Sequence, residues 1–206
     1  MLWIITAAAV SYLIGSLPTA YLFGRALKGI DIRKFGSGNV GATNALRVLG
    51  RGPGIMVLII DMLKGFLPVI FLGDQLVSRA GFLPPESLRI IIGLGCILGH
   101  NWTVFLNFKG GKGVATTIGV LAALAVKVRG MQLVLAAMLL TWLAVFMLLR
   151  IVSMASVASA IAFPIYAYIF RQSPILKSLS VILALFILLR HKSNLKRFLR
   201  GEEKRL

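Results

Sequence analysis

The chain has 206 residues, of which 58% are hydrophobic and 14% are charged, and its mean hydropathy is +0.91. These values exclude an ordinary soluble domain and indicate an integral membrane protein. A formal net charge of +17 accompanies them. The basic residues are scattered between apolar runs without an interleaved aromatic patch, which argues against nucleic-acid binding.

Continuous apolar runs of membrane-spanning length recur along the whole chain. They predict helices rather than barrel strands, because apolar and polar residues do not alternate within them. The first run has no basic segment before it and is too long for a cleaved signal, so we expect it to be retained. The run at 114–126 is short, and it counts as a span only if its helix begins within the glycine-rich stretch before it. The predicted spans lie near residues 2–23, 53–72, 88–108, 114–126, 131–149, 151–170 and 174–189.

The distribution of lysine and arginine predicts how these spans are oriented. With seven spans and the N-terminus outside, the inward-facing segments hold sixteen of the 23 basic residues, and the opposite loops hold six. Because basic segments favour the cytoplasm, we expect the C-terminus and all the polar glycine-rich segments on that side. A six-span chain would divide those segments between the two faces. The predicted fold is an all-α polytopic membrane protein of about seven transmembrane helices, forming one domain over residues 1–206.

The first glycine-rich segment, residues 36–44, has the sequence GSGNVGATN and lies between Arg33 and Arg47. Glycine allows backbone N–H groups to turn toward an anion, and Ser and Thr hydroxyls add donors. A helix beginning near Thr43 would direct its positive end at the same ligand. A flexible interhelical turn is the alternative, but such turns seldom need nine residues of this kind. The segment therefore predicts a phosphate site.

The second glycine-rich segment, residues 109–113, contains Lys109 and Lys112 separated by two glycines, and it follows His100. The two lysines can reach one phosphate from two sides, and the histidine can shuttle a proton or donate to the same oxygen. Lysines that extend to the membrane interface are the alternative. That alternative does not explain the glycines, because such lysines need no close backbone approach.

The C-terminal tail contains His191, Asn194 and Arg197 at intervals of three residues. This spacing predicts that the three lie near one face of a helix continuing from the last span. A solvated tail beside the membrane and a functional stripe of polar side chains are both compatible with the pattern.

Polar residues also occur inside the predicted spans. Asp61 and Lys64 stand three residues apart, so they can pair with each other, and we interpret them as structural support. Serines are present at Ser16 in the first span and at Ser153 and Ser156 near the start of another.

Three strings in the order GSGNVGATN, GHNWxVFxxFKGGKGVAT and RHxxNxxR closely resemble the bacterial acyl-phosphate:glycerol-3-phosphate acyltransferase family. The resemblance covers essentially the whole chain. It implies a multi-span inner-membrane enzyme that moves a fatty acyl group from acyl phosphate to the 1-position of glycerol 3-phosphate. The implied products are lysophosphatidic acid and phosphate, in the first acylation step of phospholipid synthesis. It implies no cofactor and no metal, and neither acyl-CoA nor acyl carrier protein as the direct donor.

The sequence is consistent with this family rather than with the other glycerophosphate acyltransferases. Those enzymes carry a histidine followed five residues later by aspartate, whereas Phe105 follows His100 and Lys196 follows His191 at that distance. The implied partners are the two substrates and membrane lipid, with the active site on the cytoplasmic face. Docking of the soluble enzyme that makes acyl phosphate stays open.

The resemblance also implies functional residues by position, with Glu203 among them. The residues implied in catalysis are Lys112, His100, Ser37, Asn194 and His191. The residues implied in binding substrate or phosphate are Ser16, Arg33, Gly36, Gly38, Asn39, Gly41, Thr43, Asn44, Arg47, Lys109, Gly110, Gly111, Gly113, Ser153, Ser156 and Arg197. Which segment holds which phosphate stays open, as does whether a histidine or the donor phosphate accepts the hydroxyl proton.

A transporter of phosphate-type anions is the alternative from a different class, because half-helices with glycine breaks and basic residues also suit anion translocation. Two features argue against it. The halves of the chain show no inverted-repeat symmetry, and the motifs cluster on one predicted face, whereas a transporter site lies near the midplane.

Overall fold

The computed structural model describes residues 1–80 and 83–205. Those residues form ten α-helices, two short 3-10 turns at Ile32–Lys34 and Val104–Leu106, and no strand, which confirms the predicted all-α fold. The helices are α1 (Leu2–Ser16), α2 (Thr19–Lys28), α3 (Ala42–Leu49), α4 (Arg51–Arg79), α5 (Pro85–Asn101), α6 (Val114–Lys127), α7 (Met131–Leu149), α8 (Val152–Ile169), α9 (Pro174–Arg190) and α10 (Lys192–Leu199).

Helix length and apolarity confirm that the protein is polytopic. In the described part of the chain, five helical segments can cross a membrane, and a sixth can do so if the bent pair α9 and α10 counts as one span. The helix α6 has 14 residues, which is short of a full span. The count of seven and the orientation of the termini therefore stay predictions. The five segments are Leu2–Lys28, Arg51–Arg79, Pro85–Leu106, Met131–Leu149 and Val152–Ile169.

The chain divides into two compact units, Met1–Leu124 and Ala125–Leu206. The first unit contains α1 to α5 and most of α6, and the second contains α7 to α10. The assignment of residues 1–206 to one domain stays a prediction.

In the first unit, α1 packs closely along α5. A Cβ added at Gly15 would clash with the backbone of Cys96, so only glycine permits this approach, which is typical of helix contacts in membranes. Near the C-terminal ends of α1 and α5, the Thr103 hydroxyl donates to the Ser16 carbonyl at 2.5 Å. These contacts fix the end of α5, from which the chain continues toward Lys109.

A hydrophobic cluster in the first unit supports both glycine-rich segments. Ile32 and Val40 lie on either side of the start of the first segment, Leu106 precedes the second, and all three are at most 5% exposed. The cluster consists of Ala20, Ile32, Val40, Ala45, Leu49, Val57 and Leu106. Both segments are therefore anchored in the same buried core.

In the second unit, α8 packs between α7 and α9, and the short α10 contacts both α8 and α9. The Ser159 hydroxyl donates to the Met138 carbonyl at 2.9 Å and ties α8 to α7. The helix predicted to continue from the last span is interrupted by a 59° bend between α9 and α10, with His191 at the bend. Asn194 and Arg197 therefore lie on α10, after the bend.

Candidate active site

The first glycine-rich segment is a loop in which glycine is required by backbone conformation. Gly36 and Gly38 have φ values of 61° and 71°, in the left-handed region that other residues rarely adopt. A Cβ at Gly36 would also clash with the side chain of Asn44. The loop ends at Gly41, which caps α3 as it begins at Ala42. The predicted helix start near Thr43 is confirmed.

Asn44 holds this loop from the inside. Its side chain is buried, and its Oδ1 accepts a hydrogen bond from the Ser37 backbone N–H at 2.8 Å. Its Nδ2 donates to the carbonyls of Phe35 and Asn39 at 3.1 and 2.9 Å. The side chain of Asn44 thus contacts the loop backbone, and the substrate contact that the resemblance implies for it stays a prediction. The exposed Ser37 and the half-buried Asn39 lie on the loop that Asn44 shapes.

The basic residues around the first segment differ in their surroundings. Arg33 forms a two-bond pair with Asp31, at 2.7 Å from Nη2 to Oδ2 and 3.0 Å from Nε to Oδ1. The hydrogen bond from Arg33 lowers the pKa of the Asp31 carboxyl to about 2 and raises that of Arg33. Arg33 therefore carries a partly compensated charge, and Arg47 is exposed on α3. The sequence reasoning did not include Asp31, although a carboxylate two residues before an arginine is a signal for such a pair.

The second glycine-rich segment folds back onto the end of α5. The Gly110 N–H donates to the Asn101 carbonyl at 3.2 Å, and the Gly111 N–H donates to the His100 carbonyl at 2.9 Å. A Cβ at Gly110 or Gly111 would clash with His100. Gly113 has a φ of 79°, and α6 begins at the next residue. The backbone therefore lies against α5 at a distance that only glycine permits.

Lysines and unsatisfied oxygens accompany this second segment. Lys109 is exposed and Lys112 is half-buried. Among the described residues, three buried oxygens have no hydrogen-bond partner, namely Asn101 Oδ1, Thr116 Oγ1 and Thr117 Oγ1. Asn101 packs against the segment and the two threonines lie in the first turn of α6. The lysines supply positive charge and the two threonine hydroxyls can donate hydrogen bonds, both of which suit an anion site, whereas Asn101 Oδ1 can only accept.

The predicted pairing of Asp61 with Lys64 is confirmed. Lys64 Nζ lies 2.8 Å from Asp61 Oδ1, and both side chains are buried. His100 lies close to this ion pair, because its Nδ1 is 3.8 Å from the same Asp61 oxygen. The sequence indicates the pair but not its approach to His100, because Asp61 lies on α4 and His100 on α5.

In the second unit, Glu203 brings three predicted site residues together. Its Oε1 accepts hydrogen bonds from Ser153 Oγ at 2.7 Å and Asn194 Nδ2 at 2.5 Å, and its Oε2 accepts one from Arg197 Nε at 2.7 Å. Burial raises the pKa of the Glu203 carboxyl, but the hydrogen bonds from these three residues and the Arg197 charge outweigh it, so that the pKa is lowered. Glu203 is therefore held as a carboxylate.

Three other predicted site residues make contacts within or between helices. Ser16 is fully buried, and its hydroxyl donates to the Gly99 carbonyl at 3.4 Å. Ser156 donates to the Val152 carbonyl of its own helix at 2.8 Å. His191 Nδ1 donates to the carbonyl of Ile187 at 2.8 Å. These contacts stabilise helix packing and the bend after α9, and any role of the three residues toward substrate stays a prediction.

Comparison with known proteins gives one consistent result. The model of the family described as glycerol-3-phosphate acyltransferase matches residues 5–201. A glycerol-3-phosphate acyltransferase of Synechococcus elongatus is 43% identical, covering 100% of this chain and 96% of the relative. Glycerol-3-phosphate acyltransferase 2 of Moorella thermoacetica is also 43% identical, covering 100% of this chain and 98% of the relative.

Solved structures agree with these relatives. The chain is similar to the crystal structure of PlsY (YgiH), an integral membrane glycerol 3-phosphate acyltransferase, in its glycerol 3-phosphate form. The TM-score is 0.85 at 34% identity, covering 98% of this chain and 95% of the other. The lysophosphatidic acid form of the same protein matches with a TM-score of 0.83. With family model, relatives and structures in agreement over nearly the whole length, the chain belongs to the PlsY family of integral membrane glycerol-3-phosphate acyltransferases.

Proposed function

We propose that the protein transfers a fatty acyl group from acyl phosphate to the 1-hydroxyl of glycerol 3-phosphate, forming lysophosphatidic acid and releasing phosphate. One observation carries the proposal. Two basic, glycine-rich segments, each with a backbone conformation that only glycine permits, are anchored in one hydrophobic cluster. Both substrates of this reaction carry a phosphate, so two such segments are what the reaction requires. The glycerol 3-phosphate and lysophosphatidic acid forms of PlsY agree with this substrate and product.

The chemistry needs little covalent help from the protein. Acyl phosphate is a mixed anhydride and is already activated, so no acyl-enzyme is required. The glycerol oxygen attacks the acyl carbonyl carbon, the bond from that carbon to the phosphate oxygen breaks, and phosphate leaves with the electron pair. Holding the two reactants in position contributes about 7–11 kcal/mol. Each well-placed donor to the developing oxyanion contributes ~3–4 kcal/mol.

Lys112 and Arg47 supply the positive charge that this reaction demands. Two phosphates repel each other, and cations beside them offset that repulsion as the leaving group gains charge. We assign Ser37, Gly38 and the second glycine-rich segment to phosphate contact through hydroxyl and backbone N–H groups. In the second unit, we assign Asn194 and Arg197 to substrate contact, with Glu203 and Ser153 keeping them in place.

The proton of the attacking hydroxyl goes to a phosphate oxygen of the donor in our mechanism. Phosphate groups titrate near pH ~6, so the donor is a competent acceptor at neutral pH. A histidine base is the competing mechanism, with His100 as its candidate. Substitution His100→Gln separates the two. Proton transfer to the donor predicts that the variant keeps measurable activity and the acidic limb of the wild-type pH profile. Loss of that limb, with activity as low as that of Lys112→Ala, contradicts our mechanism.

The direct test of the proposed function is an assay of the purified protein in detergent with labelled glycerol 3-phosphate. Acyl phosphate, acyl-CoA and acyl carrier protein are supplied separately as donors. We expect labelled lysophosphatidic acid and an equal amount of phosphate from acyl phosphate alone. Lys112→Ala should lose about 100- to 1000-fold in rate. The control Arg129→Ala removes an exposed basic residue from the connection between α6 and α7, and it should keep the wild-type rate. Product formed from acyl-CoA but not from acyl phosphate would overturn the donor assignment.

We also propose that the protein lies in the bacterial inner membrane with its N-terminus outside and its active site on the cytoplasmic face. Single cysteines placed at Arg79, Ser37 and Ser193 in a Cys96→Ser background test this orientation. An impermeant thiol reagent applied to intact cells should label the Arg79 position only. Labelling at Ser193 from outside would contradict the seven-span orientation.

A further inference from the structure

A buried charged cluster lies next to the second glycine-rich segment in the first unit. Asp61 and Lys64 on α4 are 1% and 6% exposed, and Asp61 Oδ1 lies 2.8 Å from Lys64 Nζ. The same Nζ donates to the Leu17 carbonyl at 2.8 Å. Thr19 Oγ1 donates to Asp61 Oδ1 at 2.9 Å. The break between α1 and α2 therefore supplies partners to both charges and fixes the position of the carboxylate.

Stabilisation of helix packing does not by itself explain why Asp61 and Lys64 are buried here. Ionisable residues inside the spans of a membrane protein are costly, and they usually mark functional positions. A buried ion pair is also a poor source of stability, because apolar residues of similar volume often serve as well or better. Asp61 therefore calls for a role beyond pairing with Lys64.

His100 connects this cluster to the second glycine-rich segment. Its Nδ1 lies 3.8 Å from Asp61 Oδ1, which places this edge of the ring beside the carboxylate but beyond direct hydrogen-bond distance. The opposite edge of the ring faces Gly111, where an added Cβ would clash with Nε2. The Gly111 N–H in turn donates to the His100 carbonyl at 2.9 Å. The imidazole is therefore enclosed between a fixed carboxylate and the backbone of the segment.

We infer that Asp61 is a positioning residue that acts through His100 on the second glycine-rich segment. The carboxylate holds the Nδ1 edge of the ring, and the other edge supports Gly111 and thereby the backbone that contacts phosphate. Lys64 compensates the carboxylate charge and ties it to the helix break at Leu17. The inference rests on the proposed phosphate-binding function of this segment. It places the effect of Asp61 on the affinity for a phosphate-bearing substrate rather than on folding.

The test is a double-mutant cycle between the ion pair and the histidine. The variant Asp61→Asn/Lys64→Met removes both charges together and leaves no uncompensated ion, and Asn keeps an acceptor for Thr19. The Leu17 carbonyl still accepts from the Thr19 N–H at 3.0 Å. Thermal unfolding, kcat and the KM of each substrate are measured in the wild-type and His100→Gln backgrounds.

A control removes a different ion pair of α4, one that this helix makes with α5. Asp74 on α4 and Arg89 on α5 pair at 2.5 Å, and neither lies beside the glycine-rich segments in sequence. Asp74→Asn/Arg89→Met should leave the KM of both substrates within twofold of wild type. It thereby reports what the loss of an α4–α5 ion pair does by itself.

We expect Asp61→Asn/Lys64→Met to unfold close to the wild-type temperature and to raise the KM of one phosphate-bearing substrate about tenfold. In the His100→Gln background, the same change should shift that KM less than twofold. An equal shift in both backgrounds, or no shift in either, would overturn the inference. If the double variant fails to fold, Asp61→Asn alone enters the same cycle. If the wild-type protein forms no product with any donor, the proposed function fails. The inference is then tested by measuring the equilibrium binding of labelled glycerol 3-phosphate to the same four variants of the cycle.

Discussion

The two units arrange their predicted site residues in opposite ways. In the first unit, side chains such as Asn44 and His100 contact glycine-rich backbone, which is the surface that we propose binds the substrate. In the second unit, backbone plays a smaller part, and the Glu203 carboxylate collects Ser153, Asn194 and Arg197 through side-chain bonds. Glycine-built sites fail when a Cβ is added, whereas side-chain sites fail when the group that accepts their hydrogen bonds is removed. Substitutions in each unit test this difference.

The largest effect is expected from Gly110→Ala. A Cβ at this position would overlap the carbonyl oxygen of His100, a backbone atom of α5 that has little room to move. The second glycine-rich segment must then shift away from the helix, and we expect kcat/KM to fall at least 100-fold. Steady-state kinetics with both substrates measure it. The control is Gly52→Ala, where the added Cβ meets nothing within 4 Å, and it should behave as wild type. A Gly110→Ala enzyme with near-wild-type kinetics would show that close backbone approach is not needed.

The next effect is expected from Asn44→Ala in the first glycine-rich segment. The substitution removes the acceptor of the Ser37 N–H and the donors to Phe35 and Asn39. Loss of a buried polar centre of this kind costs about 2 kcal/mol of unfolding free energy. We expect a lower unfolding temperature and a KM for one substrate raised about tenfold or more. If the unfolding temperature falls while both KM values stay unchanged, Asn44 supports the fold and the loop does not bind substrate.

A smaller effect is expected from Glu203→Gln in the second unit. Glutamine keeps an acceptor for Ser153 and Asn194 but loses the charge that pairs with Arg197, which is 41% exposed in its side chain. The pair is open to solvent on its Arg197 side, where screening weakens it, and Gln keeps hydrogen-bond acceptors, so we expect activity to fall less than tenfold. Glu203→Ala, which removes all three hydrogen bonds, should lose clearly more activity. Equal losses in both variants would show that charge rather than hydrogen bonding organises this region.

The smallest effect concerns pH. Because the pKa of Glu203 is lowered in the folded protein, its contribution to stability is complete above the ordinary glutamate value near ~4.3. It is lost as the pH falls through the lowered value. We expect hydrogen exchange in residues 192–205, corrected for intrinsic rates, to increase only below about pH 4.3. Glu203→Gln should lack this dependence. A rise already at pH 6 in the wild-type protein would contradict the lowered pKa.

Much of the fold could be predicted from hydropathy, because a membrane span needs a long apolar run and little else. The breaks within helical segments could not be predicted from hydropathy. The separation of α1 from α2 occurs at Leu17 and Pro18, inside a run that hydropathy treats as continuous. The 59° bend at His191 likewise has no Pro or Gly beside it to indicate it in the sequence, and after the bend α10 contacts α8 and α9.

For the candidate site, the sequence indicates which residue types are involved more reliably than it indicates where their side chains point. Gly36, Gly38 and Gly113 have positive φ values, a conformation that other residues rarely adopt, so glycine is an informative residue type at these positions. The sequence could not show that Asn44 points into its own loop, since an amide suits a ligand and a backbone equally well. It also could not show that Asp61 approaches His100, because that contact depends on the packing of α4 against α5.

The central claim is that the glycine-rich backbone binds the substrate phosphates, and equilibrium binding tests it most directly. Labelled glycerol 3-phosphate and labelled inorganic phosphate are titrated against wild type, Gly38→Ala, Gly111→Ala and the control Gly52→Ala. Thermal unfolding is measured on the same samples. We predict at least fivefold weaker binding of one ligand to Gly38→Ala and to Gly111→Ala, with unfolding temperatures close to wild type. Wild-type affinity for both ligands in both folded variants would contradict the claim.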